Sequence, residues 1–167
     1  MKENIMEMEK YASENNVPII EKDSIAFIMK YIKKNNIKNV LEIGSAIGYS
    51  TILMASSNQD TIVTTRDETR YMECLKNVKK CGMEKKINVV YQDALELNLS
   101  EDLRYDLIFI DAAKGQYIKF FEKYKNFLNP NGTIITDNIN FHGYVGQSSK
   151  LDKGNLKSLV EKIEKYI

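Results

Sequence analysis

Val40-Leu41-Glu42-Ile43-Gly44-Ser45-Ala46-Ile47-Gly48-Tyr49-Ser50 is the stretch on which the reading of this chain turns. A short, mostly apolar strand over Val40–Ile43 runs into a turn bounded by Gly44 and Gly48, and Ser50 to Ala55 then reads as a helix. Glycine at such a turn lets backbone approach a neighbour with no Cβ in the way. The spacing Gly-x-x-x-Gly is neither the dinucleotide pattern Gly-x-Gly-x-x-Gly nor a phosphate loop with its lysine. Glu42 adds information, because an acid inside an apolar strand is costly unless it is paired or hydrogen-bonded.

The same alternation extends in both directions. Ile25, Ile28, Met29 and Ile32 recur at three and four, predicting a helix from near Asp23-Ser24 to Asn35-Asn36. Thr61–Thr64, Ile87–Tyr91, Leu107–Ile110 and Thr133–Thr136 read as further strands, short and β-branched or apolar throughout. Helices are expected over Tyr71–Lys80, over the apolar series Tyr117, Phe120, Phe121, Tyr124 and Leu128, and from Leu156 to Ile167. Asn129-Pro130-Asn131-Gly132 reads as a turn, and the residues ahead of Val17-Pro18-Ile19-Ile20 as a polar lead-in. Five strands alternating with helices predict an α/β fold: a mostly parallel, doubly wound sheet with right-handed crossovers and helices on both faces. Ligands of such sheets bind beyond the carboxyl ends of the strands. That rule lines up Glu42 to Gly48, Asp93, Asp111 and Asp137 along one rim.

The 167 residues suffice for one domain, residues 1–167, with a single core. With 43% hydrophobic and 28% charged residues the composition is that of a soluble globular protein. A net charge of +1 leaves open a local basic face, for which Lys76, Lys79, Lys80, Lys85 and Lys86 are candidates. Cys74 and Cys81 lie too far apart along one predicted helix to form a disulfide, and no Cys/His pattern has zinc spacing. Unpaired thiols, no signal-peptide core at the N-terminus and no apolar run of membrane-spanning length predict a cytoplasmic protein without a membrane partner.

Asp111 follows Ile108-Phe109-Ile110, and Asp137-Asn138 follow Ile134-Ile135-Thr136. Hard oxygen donors at neighbouring strand ends suit Mg²⁺ with room for water and substrate. Lys114 lies a short step from Asp111, where a cation would ease loss of its proton and let it act as a base. His142, the only histidine, could line an acceptor pocket but has no evident partner and is not assigned to catalysis. Packing is the default role for Tyr49, Tyr117 and Phe141, with stacking on a ligand as the alternative.

At these residues the chain resembles the class I S-adenosylmethionine-dependent, metal-dependent O-methyltransferases, the group that includes catechol and caffeoyl-CoA O-methyltransferases. The resemblance runs from about Tyr11 to Ile167. Its most specific pieces are Phe109-Ile110-Asp111-Ala112-Ala113-Lys114-Gly115-Gln116-Tyr117, Ile134-Ile135-Thr136-Asp137-Asn138 and Phe141-His142-Gly143-Tyr144-Val145. The first of these, with Val17-Pro18-Ile19-Ile20-Glu21-Lys22, is most similar to the bacterial branch that methylates the 5-oxygen of 5-hydroxyuridine in tRNA. The resemblance implies a Rossmann-like methyltransferase fold. It implies that Asp111, Asp137 and Asn138 hold Mg²⁺ or another divalent cation and that Lys114 is the base. It implies cofactor contacts at Ile20, Glu42, Gly44, Ser50, Asp93, Ala94 and Asp111, with Asp93-Ala94 against the adenine, and a homodimer.

Two departures stand out. Relatives end the second strand on an acid that binds the ribose hydroxyls; here Thr64-Thr65 runs directly into Arg66-Asp67, leaving Asp67 or Glu68 to replace it. Relatives also continue past the last helix into two more strands, which this chain is expected to lack. The expected activity is methyl transfer from S-adenosylmethionine, first to tRNA 5-hydroxyuridine and second to a small catechol-like hydroxyl compound. A truncated remnant without catalysis is the alternative of another class.

Overall fold

A computed structural model describes residues 1–57, 60–65, 68–139, 145–151 and 154–166; for 60–65 and 114 it describes the backbone alone. The five predicted strands are present as β1 (Asn39–Ile43), β2 (Asp60–Thr65), β3 (Ile87–Tyr91), β4 (Tyr105–Ile110) and β5 (Leu128–Thr136). They form one sheet in the order β3-β2-β1-β4-β5, with every pairing parallel. The helices are α1 (Lys2–Glu14), α2 (Lys22–Lys34), α3 (Tyr49–Ala55), α4 (Glu68–Lys80), α5 (Tyr117–Tyr124) and α6 (Asn155–Tyr166).

Side chains alternate across each strand, so the sheet feeds two apolar layers. Val40, Leu107 and Phe109 face a layer built with Met8 and Ala12 of α1, Ile25, Ile28 and Ile32 of α2, Ile52 of α3 and Val78 of α4. Leu41, Ile43, Ile108 and Ile110 face the other, with Phe120 and Tyr124 of α5 and Ile163 of α6. The central strands β1 and β4 are buried on both faces, which is why they read as near-continuous apolar runs. Among the described residues no helix is long and apolar enough to cross a membrane.

Three elements differ from the sequence expectation, the last being the helix expected to reach Leu128, which ends at Tyr124 while Leu128 opens β5. The polar lead-in is a 13-residue helix, α1, of which only Met8 and Ala12 are buried. Polar contacts seat it: Asn4 donates to the Lys80 carbonyl at 2.9 Å, Glu7 pairs with Lys80, and Glu9 accepts from Lys22 at 2.8 Å and from the Tyr49 hydroxyl at 2.9 Å. The second difference is the turn expected at Asn129–Gly132, which lies inside β5. Tyr105 pairs with Leu128 and Leu107 with Thr133, so the intervening residues bulge out of the ladder, with Asn131 at a positive φ of 69°.

Asp106 holds that bulge in place. One carboxylate oxygen accepts the backbone N–H groups of Lys38 (2.9 Å) and Asn39 (3.0 Å), and the other accepts the Asn129 amide at 2.7 Å. Burial opposes the charge, but these donors outweigh it and hold the carboxyl below its ordinary range. A lowered folded pKa means that this contribution is full above the ordinary value of 3.8 and is lost as pH falls through the folded value. Asp106→Ala is expected to cost ~2–3 kcal/mol at neutral pH, from three lost hydrogen bonds, read as a lower urea midpoint with unchanged slope.

Candidate active site

The parallel register sets the site. Ile43, Ile110 and Thr136 are level across β1, β4 and β5, so the next residues, Gly44, Asp111 and Asp137, leave the sheet side by side. The ladder continues one step beyond the strands: Asp111 N–H donates to the Ile43 carbonyl at 2.9 Å and Asp137 N–H to the Ile110 carbonyl at 3.0 Å. On the other side of β1, Thr65 and Tyr91 are level at the ends of β2 and β3, and Gln92, Asp93 and Ala94 follow.

A cavity of about 580 Å³ opens above this rim. Of the residues expected to meet a cofactor, Ile20, Gly44, Asp93, Ala94 and Asp111 line it, and so do Asp137 and Asn138. Its size is that of a small-molecule or cofactor pocket. Gly44, at φ +94°, passes so close to β4 that a Cβ would overlap the Asp111 carbonyl oxygen and sit 3.3 Å from the Ala112 Cα. The cradle therefore requires glycine at this position.

Several contacts hold the two ends of the cavity. Near β5, the buried Tyr117 hydroxyl donates to the Asp137 carbonyl at 2.9 Å, and Thr136 and Tyr166 share a hydroxyl hydrogen bond of 2.7 Å. The Asn138 amide donates to the Asp137 carboxylate at 2.9 Å, with Asn138 itself at φ 59°. Near β3, Asp93 accepts the Leu95 N–H at 2.8 Å, Lys123 donates to the Leu95 carbonyl at 2.6 Å, and the Tyr124 hydroxyl donates to the Ala94 carbonyl. Asp93 thus shapes the loop that it borders.

Glu42 and Ser50 are placed differently from the others: they lie behind the cavity, not on its wall. Glu42 is fully buried and accepts hydrogen bonds from the hydroxyls of Ser50 and Thr51 on α3. The acid in the strand is therefore a strut between β1 and the helix after the glycine turn. Burial pushes its carboxyl up to about 8; the two hydroxyls oppose this and the Asp111 charge adds to it. An acid with a raised folded pKa favours the fold fully below its ordinary value of 4.5, and that advantage is lost as pH rises toward 8. Wild type should therefore lose stability between these limits, and Glu42→Gln should flatten the profile, as denaturant titrations at stepped pH will read.

Tyr49 and Tyr117 are buried packing residues whose hydroxyls bond within the protein. Lys114 opens a short 3-10 turn, Lys114–Gln116, just after Asp111. Asp67, Phe141 and His142 lie outside the described residues, and Glu68 is exposed at the start of α4. Arg70, Gln92 and Gln116 also line the cavity and were not singled out in the sequence. An arginine in the first turn of a helix reads as a solvated charge, and only the sheet order reveals that this turn overhangs the rim.

The donor set fits a hard divalent cation in kind: two carboxylates and an amide on adjacent strand ends, all bordering one cavity. Among the described residues no three Cys, His, Asp or Glu side chains cluster as a metal site, so Asn138 and water or substrate would have to complete the shell.

Residues 2–166 match the family model described as O-methyltransferase. The chain belongs to the O-methyltransferase family. Tapetum-specific methyltransferase 1 of Arabidopsis thaliana is 31% identical over 92% of this chain and 68% of its own length. The chain spans 62% to 68% of the length of this and two other curated relatives. Among solved structures, a Staphylococcus aureus protein assigned provisionally as a caffeoyl-CoA O-methyltransferase superposes with a TM-score of 0.90 at 36% identity, over 97% of this chain and 79% of that one. An O-methyltransferase from Bacillus cereus in complex with SAH shares the fold, with a TM-score of 0.85 at 22% identity over 98% and 76% of the two chains. The Rossmann-like methyltransferase architecture is thus the one this family uses, and the Bacillus cereus neighbour carries SAH in it.

Proposed function

We propose that this chain transfers the methyl group of S-adenosylmethionine to a ring hydroxyl that has a second oxygen on the neighbouring carbon. The observation that carries the proposal is the sharing of one cavity by the glycine cradle and by Asp111, Asp137 and Asn138. The donor and the hydroxyl-activating residues are then within reach of each other without a large motion. Asp111, Asp137 and Asn138 would hold Mg²⁺ or another divalent cation, which when bound favours the ionised form of a coordinated hydroxyl. Lys114 would take the hydroxyl proton. The glycine cradle and Ile20 would align the sulfonium for in-line attack, and alignment is the larger part of what the protein supplies.

Two acceptors carry such an oxygen pair: 5-hydroxyuridine in tRNA, through its 5- and 4-oxygens, and a small catechol. The similarity of Val17–Lys22 and Phe109–Tyr117 to the tRNA-modifying branch favours the first, and Pro18, Ile19 and Ile20 of that stretch border the cavity. The caffeoyl-CoA assignment of the Staphylococcus aureus neighbour favours the second. The candidate basic face weighs the same way. α4 begins above the carboxyl rim and runs back, so Lys79, Lys80, Lys85 and Lys86 lie toward the opposite rim, and Lys80 is paired with Glu7. A homodimer is the assembly proposed, and the free thiols of Cys74 and Cys81 suit a reducing, cytoplasmic setting.

The test is a side-by-side methyl-transfer assay with tRNA lacking the final methyl and with a small catechol. Transfer to tRNA that declines steeply with salt supports the first acceptor. Salt-insensitive turnover of free catechol supports the second, and failure of both with bound S-adenosylmethionine overturns the proposed acceptor class.

A further inference from the structure

Arg70 is the feature of the cavity that the proposed reaction does not yet use. It is the third residue of α4, the helix that starts directly after β2, and it is partly buried at the cavity wall. Its turn is held against the end of β3 by the adjacent Tyr71, whose ring lies 5.2 Å from that of Tyr91 between centroids. Among the described lining residues Arg70 is the only cation, set against the carboxylates of Asp93, Asp111 and Asp137.

The sheet order fixes which end of a bound methyl donor it would meet. Along the rim the sequence is β3, β2, β1, β4, β5, so Arg70 stands above β2 and Asp137 above β5, three strand spacings or about 14 Å apart. The proposed hydroxyl-activating residues occupy the β4–β5 end, and the transferable methyl has to point there. The nucleoside of the donor then extends the other way, past Gly44 toward Arg70, Gln92 and Asp93. A ribose hydroxyl oxygen can accept from a guanidinium as well as donate to a carboxylate, and the guanidinium fork matches two adjacent acceptors.

Resting on the S-adenosylmethionine reading above, we infer that Arg70 binds the ribose hydroxyls of the cofactor, donating where relatives present an accepting acid. This explains how β2 can run through Thr64-Thr65 without that acid while the site keeps a polar partner for the sugar.

Calorimetry on the full chain tests the inference with two ligands, S-adenosylhomocysteine and methylthioadenosine, which share the nucleoside and differ in the amino-acid group. Arg70→Ala should weaken both by about tenfold or more, and Arg70→Lys by less, as loss of charged hydrogen bonds predicts. Removing the ribose hydroxyls, with 2′,3′-dideoxyadenosine against adenosine, should cost affinity in wild type and little in Arg70→Ala. A loss confined to S-adenosylhomocysteine would place Arg70 on the amino-acid carboxylate and overturn the inference. Equal affinity of folded Arg70→Ala and wild type would overturn it too, leaving the cofactor reading intact. A wild type that binds neither ligand would remove the cofactor reading and this inference together. Matching circular-dichroism melts for the variants separate lost binding from lost folding.

Discussion

Gly44→Ala should leave the protein ~2–6 kcal/mol less stable and without measurable affinity for S-adenosylhomocysteine. Two costs add. A non-glycine residue at φ +94° carries backbone strain of about 1–3 kcal/mol. Its Cβ would also overlap the Asp111 carbonyl oxygen and lie 3.0 Å from the attached carbon, both backbone atoms of the residue that follows β4 and is tied to β1 by its N–H on the Ile43 carbonyl. That backbone cannot yield as a flexible side-chain tip would, so the overlap adds an overpacking cost of about 1–3 kcal/mol. Relief by separation of β1 from β4 would open the rim on which Gly44 and Asp111 stand. Urea unfolding gives the first effect and calorimetry the second. An alanine variant with wild-type midpoint and affinity would mean that the two strands do not approach as closely as described. Gly48→Ala meets the Cys74 side chain instead, 2.8 Å from its Sγ, and should cost less because that thiol can shift.

Asp137→Ala is expected to lower turnover by about a hundredfold or more, with the fold retained. The basis is the proposed role of this carboxylate in holding the cation that ionises the acceptor, an effect worth several kcal/mol in the transition state. Asp137 is only partly buried, and its backbone is held from both sides, by its own N–H on Ile110 and by Tyr117 on its carbonyl. Removal of the carboxylate therefore leaves the loop anchored. Affinity for S-adenosylhomocysteine should change little, which separates this variant from Gly44→Ala and from Arg70→Ala. Loss of cofactor affinity equal to the loss of turnover would move Asp137 from hydroxyl activation to cofactor binding.

The strands were legible in the sequence because β1 and β4 are buried on both faces and the alternating strand–helix rhythm admits one sheet class. The rim was legible for the same reason: once strand ends are known, Gly44, Asp93, Asp111 and Asp137 fall into one row. What escaped depends on contacts between residues far apart in the chain. α1 is held by Asn4 and Glu7 reaching Lys80, across more than seventy residues, and buries too few apolar groups for a periodicity to show. The bulge in β5 looks like a turn because Asn-Pro-Asn-Gly is turn chemistry; Asp106, on the neighbouring strand, anchors it through Asn129, and the ladder resumes at Thr133. Glu42, an acid in an apolar strand, needs partners and has them, but they are helix hydroxyls behind the cavity. Arg70 carried no local signal, since its place above the rim follows from the strand order alone.

Metal-assisted methyl transfer between the cofactor cradle and the Asp111–Asp137–Asn138 end of the cavity is read out by following a labelled methyl group. S-adenosylmethionine carrying the label is incubated with the protein, Mg²⁺ and either tRNA lacking the final methyl or a catechol, with and without a chelator. The expected result is label on the acceptor oxygen, abolished by chelation, restored by Mg²⁺ and largely absent in Asp137→Ala. Label transfer that is undiminished by chelation and by Asp137→Ala would rule out a metal held by these residues as the activator of the hydroxyl.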